Sequence, residues 1–261
     1  MRTPKFSAKL DDLPATLDLV ASFDPAHVAA ALARGSAQGA LAIGSGGSVV
    51  AAEYFVRCRD SLGFGPTSVA TPMQAVTDHH SLQAFQVWLF SAGGDNPDVV
   101  AAVQAAADRG CRDINLVTRN PDGAAASLVS GFGGCVHVVP VADMKDGYLA
   151  THSLLAMTVG LLLSSSLVSR EPMTKPPLLE IIATRLTASR APAERNRLVE
   201  RWASFRATDT IIVAGDPLLK PAVALLDTSF WEASLCPVQT TDFRNLAHGR
   251  HYERRSNTRP R

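Results

Sequence analysis

Ala40-Leu41-Ala42-Ile43-Gly44-Ser45-Gly46-Gly47-Ser48 is the stretch from which the architecture is read. Its four leading residues make a short apolar run of the kind a buried strand needs, and the glycine-serine run stops it. Residues 49–59 follow with polar positions at Glu53, Arg57 and Arg59, which fit a helix. The order is strand, glycine turn, helix.

That order returns along the chain. Residues 86–90 run into Ser91-Ala92-Gly93-Gly94-Asp95-Asn96 and a helix over 97–109, with Asn96 as its cap and Pro97 in its first turn. Residues 114–117 precede Asn120-Pro121-Asp122-Gly123 and another helix. A strand at 136–141 leads through Lys145-Asp146-Gly147 to an apolar helix from Ser153. Strands separated by helices of this length need crossover connections. The expected fold is therefore α/β, a three-layer sandwich around a mainly parallel sheet.

Residues 171–177 read as a linker, and two charged helices over 178–189 and 193–205 follow it. The motif then restarts with a strand at 210–215 and a helix over 218–230. What remains after Ile211 suffices for one strand and two helices, so this second half is incomplete. The expected organisation is an N-terminal extension over 1–24, a first domain over 25–175, a partial second domain over 176–251 and a basic tail over 252–261. The tail is rich in arginine and has no apolar periodicity, which reads as disorder.

Composition narrows the function. With 46% hydrophobic and 19% charged residues, the 261-residue chain can bury a large core and is not intrinsically disordered. Its 25 Lys and Arg balance 24 Asp and Glu, so no polyanion partner is suggested. Residues 1–37 are too short and too little basic for a helix-turn-helix, and no nucleic acid is expected. Cys58, Cys111, Cys135 and Cys236 are scattered without a C-x-x-C pair, which fits a reducing cytoplasm. The first residues lack the apolar core of a signal peptide. The apolar stretch over 154–168 is shorter than the roughly 20 residues that span a bilayer, so it is expected as a buried helix without membrane contact.

In an open parallel sheet, ligands bind beyond the carboxyl ends of the strands, where glycine turns let N–H groups face an anion. Both Gly44–Ser48 and Ser91–Asn96 fall there, and a phosphate is the economical ligand for two such turns; the alternative is that the glycines merely make tight turns. Commoner motifs are absent. Val49 replaces the third glycine of a dinucleotide fingerprint, Gly47 rather than lysine precedes Ser48, and no G-x-S-x-G occurs. No cofactor is implied. Asp78-His79-His80 offers adjacent histidines that point apart and no third ligand, so no metal is expected. Lys145 and His152 flank the segment before the apolar helix, where they are candidates for a ligand's hydroxyls.

Three segments together resemble the phosphosugar-binding segments of the sugar isomerase (SIS) domain family: Ile43-Gly44-Ser45-Gly46-Gly47-Ser48, the stretch Leu89 through Asp98, and Leu149-Ala150-Thr151-His152-Ser153-Leu154. The whole chain is similar to the tandem SIS proteins, among them the isomerase half of glucosamine-6-phosphate synthase and related deglycases. The resemblance places phosphosugar binding on Gly46, Gly47, Ser48, Ser91, Gly93, Asn96 and Thr151. Gly93 and Asn96 stand where the family has a serine and a threonine, so two hydroxyls are missing. The family's glutamate base falls on Glu232 at a helix end, and its ring-opening histidine falls on His248, sixteen residues later. Gly249-Arg250 replaces the family's glycine-proline, and its catalytic tail lysine has no counterpart. The implied activity is aldose–ketose isomerisation or deglycation of a sugar phosphate by a homodimer; the alternative is a non-catalytic SIS protein that binds or senses the same ligand. Asp242 is expected to cap or orient the turn that carries His248.

Overall fold

The computed structural model describes residues 5–78, 80–145, 149–171 and 173–250. It divides into two compact units, Met1–Ala203 and Ser204–Arg261.

The first unit opens with three helices, α1 (Lys5–Asp11), α2 (Leu13–Ala21) and α3 (Ala26–Arg34), followed by β1 (Gly39–Ile43) and α4 (Gly47–Ser61). Next come β2 (Thr67–Ala70), α5 (Pro72–Thr77), β3 (Phe85–Phe90), α6 (Pro97–Asp108), β4 (Asp113–Thr118), α7 (Ala124–Gly131) and β5 (Cys135–Val138). Three further helices close it: α8 (His152–Val168), α9 (Lys175–Arg190) and α10 (Pro192–Trp202). The five strands are parallel in the order β2-β1-β3-β4-β5. As expected, this is an α/β sandwich with a parallel sheet.

Side chains alternate across each strand, so one strand feeds two cores. Trp88 and Phe90 of β3 join Ala40 and Ala42 of β1 in a cluster with Phe55 of α4, Val20 of α2, Leu32 of α3 and Met157 of α8. Val87 and Leu89 face the other way, against Val103 of α6 and Val129 of α7. The apolar stretch over 154–168 is the buried α8, with Leu161 and Leu163 in the first cluster. No helix among the described residues is long and apolar enough to cross a membrane.

Helices before and after the sheet belong to the same unit. Leu17 and Val20 of α2 are core residues, and the Lys9 ammonium of α1 meets Asp143 at 2.6 Å, holding that carboxyl below its usual range. Within the expected linker, Pro176 and Pro177 sit in the first turn of α9, where a missing N–H costs nothing. Leu178 is buried and Ile182 and Leu186 pack on the first core, so the compact unit continues to Ala203. Pro172 lies outside the described residues.

Beneath the core runs a polar chain across three strands. Gln86 of β3 donates to Asp113 of β4 at 2.8 Å and accepts from the Trp88 indole at 2.7 Å. Arg34 donates to both oxygens of Asp113, and Asn115 joins Asp113 to His137 of β5, whose ring stacks on Trp88. Burial, with the charges of Arg34 and His27, pushes the His137 imidazole down to about 4 despite Asp113. Burial alone would raise Asp113, but the hydrogen bonds from Arg34, Gln86 and Asn115 outweigh it and hold the carboxyl low.

The second unit contains β6 (Ile211–Gly215), a 3-10 turn over Pro217–Leu219, α11 (Lys220–Glu232), β7 (Val238–Asp242) and α12 (Phe243–Asn245). β6 and β7 pair in parallel through the crossover helix. Two strands stand here where the sequence suggested one. β7 reads Val-Gln-Thr-Thr-Asp, with a single apolar residue, so it has no hydrophobic signal of its own and is specified by pairing with β6. Residues 251–261, including the expected tail, lie outside the described residues.

Candidate functional site

In the strand order β2-β1-β3-β4-β5, the connections from β1 and β3 leave in opposite directions. The crevice between them, beyond their carboxyl ends, is the switch point at which open α/β sheets bind ligands. Ile43 pairs with Leu89, so the turns following β1 and β3 start side by side.

The β1 turn is shaped by its glycines. Gly46 takes φ 52°, ψ −135° as the residue before α4, a conformation reserved for glycine. A Cβ on Gly44 would lie 2.5 Å from the Ser48 carbonyl oxygen, and one on Gly47 would lie 2.1 Å from the Ala150 Cβ. Only glycine at 47 lets this turn touch the third segment. Ser48 is half-buried in the first turn of α4.

The β3 turn is tied to the turn after β4. Thr118 Oγ1 and the Arg119 N–H donate to the Ala92 carbonyl at 3.1 and 3.3 Å, Asn120 Nδ2 donates to that of Gly93 at 2.8 Å, and the Ala125 N–H donates to that of Gly94 at 2.8 Å. Three successive carbonyls are thus occupied on one side. The N–H groups of Ala92 and Gly93, like those of Gly46 and Gly47, donate to no group among the described residues. Ser91 is buried, and its Oγ accepts the Gly94 N–H at 3.2 Å, so this hydroxyl shapes the turn. A Cβ on Gly93 would meet nothing within 4 Å. Asn96 caps α6, its side chain accepting the Asp98 N–H at 2.8 Å.

The third segment closes the circuit. Thr151 is the buried residue preceding α8, and Arg119 Nη1 donates to Ser153 Oγ at 3.4 Å in the first turn of that helix. Four loops therefore form a ring: β1 turn to β3 turn by strand pairing, β3 turn to β4 turn by hydrogen bonds, β4 turn to α8 through Arg119, and α8 back to the β1 turn through Ala150 and Gly47. Gly46, Gly47, Ser48, Ser91, Gly93, Asn96 and Thr151 all lie on it.

Solved structures with a similar chain path carry sugar or sugar-phosphate names. A candidate phosphosugar isomerase from Silicibacter pomeroyi DSS-3 superposes with a TM-score of 0.74 at 18% identity, covering 95% of this chain and 74% of that one. The chain has the sugar isomerase (SIS) fold. A candidate sugar binding protein from Salmonella typhimurium LT2 gives 0.71 at 17% identity, covering 95% and 76%. Tagatose-6-phosphate ketose/aldose isomerase from Escherichia coli gives 0.71 at 15% identity, covering 95% and 70%. No protein-family profile and no curated protein sequence matches the chain.

Elsewhere the SIS fold distributes the remaining candidates differently. Glu232 ends α11 and His248 lies in a π-helical turn over Leu246–Arg250; both are exposed and both belong to the second unit, whereas the ring residues belong to the first. Asp242 caps α12, accepting the Asn245 N–H at 2.8 Å, in keeping with the structural role expected for it. His152, a candidate for ligand contact, is fully buried, with Nδ1 2.7 Å from Thr16 Oγ1, and so belongs to the packing of α8 on α2. His80 Nδ1 lies 2.5 Å from Asp78 Oδ1, while His79 lies outside the described residues. Among the described residues, no group of three His, Cys, Asp or Glu side chains is placed to hold a metal ion.

Sequence reasoning overlooked the β4 turn. Arg119, Asn120 and Gly123 take part in the ring, and a Cβ on Gly123 would lie 2.7 Å from the Gly93 carbonyl oxygen. The available signal was positional: this turn follows a strand of the same parallel sheet and so emerges on the same edge.

Proposed function

We propose that the chain binds a sugar phosphate, its charged end held in the ring and its sugar acted on as an aldose–ketose isomerase or deglycase would act. The ring of four loops at the β1/β3 crevice supports this reading, because N–H groups of two neighbouring turns that donate to nothing among the described residues belong to glycine and alanine positions that admit an anion closely. Ser48 and Thr151 contribute hydroxyls, and Ser91 holds the β3 turn in shape.

An aldose–ketose shift needs one group to move a proton between adjacent carbons and another to exchange a proton with the ring oxygen. Binding the phosphate elsewhere fixes the sugar so that both can act. Glu232 takes the first role and His248 the second, supported by their order and spacing, in a homodimer. The test has two stages. Fructose 6-phosphate is expected to bind in calorimetric titration where fructose does not, and Gly93→Ser, which enters open space, should tighten it by about 3- to 10-fold. Hydrogen exchange from solvent into the sugar at C1 or C2, lost in Glu232→Gln, would support isomerisation; binding without exchange would make the protein a sensor instead.

A further inference from the structure

An anion in this ring meets adverse charge. Asp95 and Asp98 lie in the β3 turn and the first turn of α6, and Asp122 lies in the β4 turn, all exposed. Asp95 is held there, accepting the Ala124 N–H at 2.9 Å and Asn120 Nδ2 at 3.4 Å. Three carboxylates at one rim repel a phosphate, and the β3 turn has glycine at 93 where a hydroxyl would help. Asn96, whose side-chain oxygen caps α6, offers only neutral amide N–H donors and no charge to offset the carboxylates.

Arg119 supplies a positive charge on the same ring. Its backbone is fastened to the β3 turn through Ala92, while its side chain crosses to Ser153, two residues beyond Thr151. The guanidinium is thereby carried over the gap between the β3 turn and the start of α8, half-buried, on the ring itself. A planar guanidinium presents paired donors that match phosphate oxygens and keeps its charge at any physiological pH.

We infer that Arg119 is the ligand-binding cation of this site, recognising the phosphate in place of the missing hydroxyls and offsetting the carboxylates on the rim. This rests on the reading that the ligand is a sugar phosphate. It also assigns a specificity: the ring selects the phosphorylated sugar over the free sugar chiefly through one guanidinium.

The test is calorimetric titration of the full chain with fructose 6-phosphate, fructose and inorganic phosphate, alongside the melting temperature of each ligand-free variant. Arg119→Gln should weaken fructose 6-phosphate and inorganic phosphate by about 10- to 100-fold, and Arg119→Lys should fall between it and the native protein. Ser153→Ala keeps the guanidinium but removes its hydroxyl partner, and should leave the preference for phosphorylated over free sugar intact. Arg119→Gln binding within about two-fold of the native protein would overturn the inference. So would a loss of binding in Ser153→Ala as large as in Arg119→Gln, since that would make Arg119 a strut for α8. If the native chain binds no sugar phosphate, the proposed function itself fails; if it binds and Arg119→Gln binds as well, only the role of Arg119 fails.

Discussion

The two units use the same strand, turn and helix order and reach different degrees of burial. In the first, β3 is flanked on both edges, and helices cover both faces of the sheet. In the second, β6 and β7 share one crossover helix, and Gly215 and Cys236 are the buried residues among those described. Leu218, Trp231 and Phe243 are all more than half exposed there. A local pattern thus suffices to form a strand-turn-helix unit, but neighbouring strands are needed before its apolar side chains leave water.

Replacing one tryptophan in each unit breaks or sharpens the contrast most strongly. Trp88 is fully buried, packs on Phe55 with ring centroids 4.8 Å apart and gives its indole N–H to Gln86. Trp88→Ala should destabilise the first unit by about 3–5 kcal/mol in denaturant unfolding. Trp231 is 59% exposed, and Trp231→Ala should cost less than about 1 kcal/mol. Equal costs would mean that Trp231 is covered in solution.

Acid should act next, and on the first unit. His137 is held neutral, with its imidazole pushed down to about 4. Because the unfolded chain takes up this proton near pH 6.5, the contribution is present above that pH and is lost as pH falls towards 4. It amounts to about 3 kcal/mol. Asp113, also held low, contributes above its ordinary carboxylate range and loses its share only as pH falls further. His137→Gln should flatten the stability profile between pH 4 and about 6.5 in chemical denaturation; an unchanged acid limb would refute the assignment.

The smallest contrast concerns one glycine from each unit, Gly47 at the start of α4 and Gly215 at the end of β6. A Cβ at Gly47 meets the Ala150 Cβ at 2.1 Å, whereas one at Gly215 meets the tip of the Val223 side chain at 2.5 Å, which can rotate. Gly47→Ala should cost about 1–3 kcal/mol and weaken the proposed sugar-phosphate binding by separating two loops of the ring. Gly215→Ala should cost under about 1 kcal/mol. Recovery of melting temperature and binding in Gly47→Ala combined with Ala150→Gly would confirm that the contact is responsible.

Much of the ring was legible because its turns announce themselves. Gly44 to Ser48 and Ser91 to Asn96 interrupt apolar runs with residues that only turns favour. Arg119 carries no such mark, being one basic residue in a polar turn. The chain from Arg34 through Asp113, Asn115 and His137 was equally hidden, since its members come from three elements and meet only in the folded sheet. β7 escaped because its alternation is polar on both faces.

Local pattern and turn chemistry were enough to establish the parallel α/β architecture, the positions of the glycine turns and the capping of α6 by Asn96. These depend on residues within a few positions of one another. That β1 lies beside β3, that Ala150 rests on Gly47 and that Arg119 reaches Ser153 were decided by the folded structure. Such contacts join segments remote along the chain, and their geometry follows from which faces are buried together.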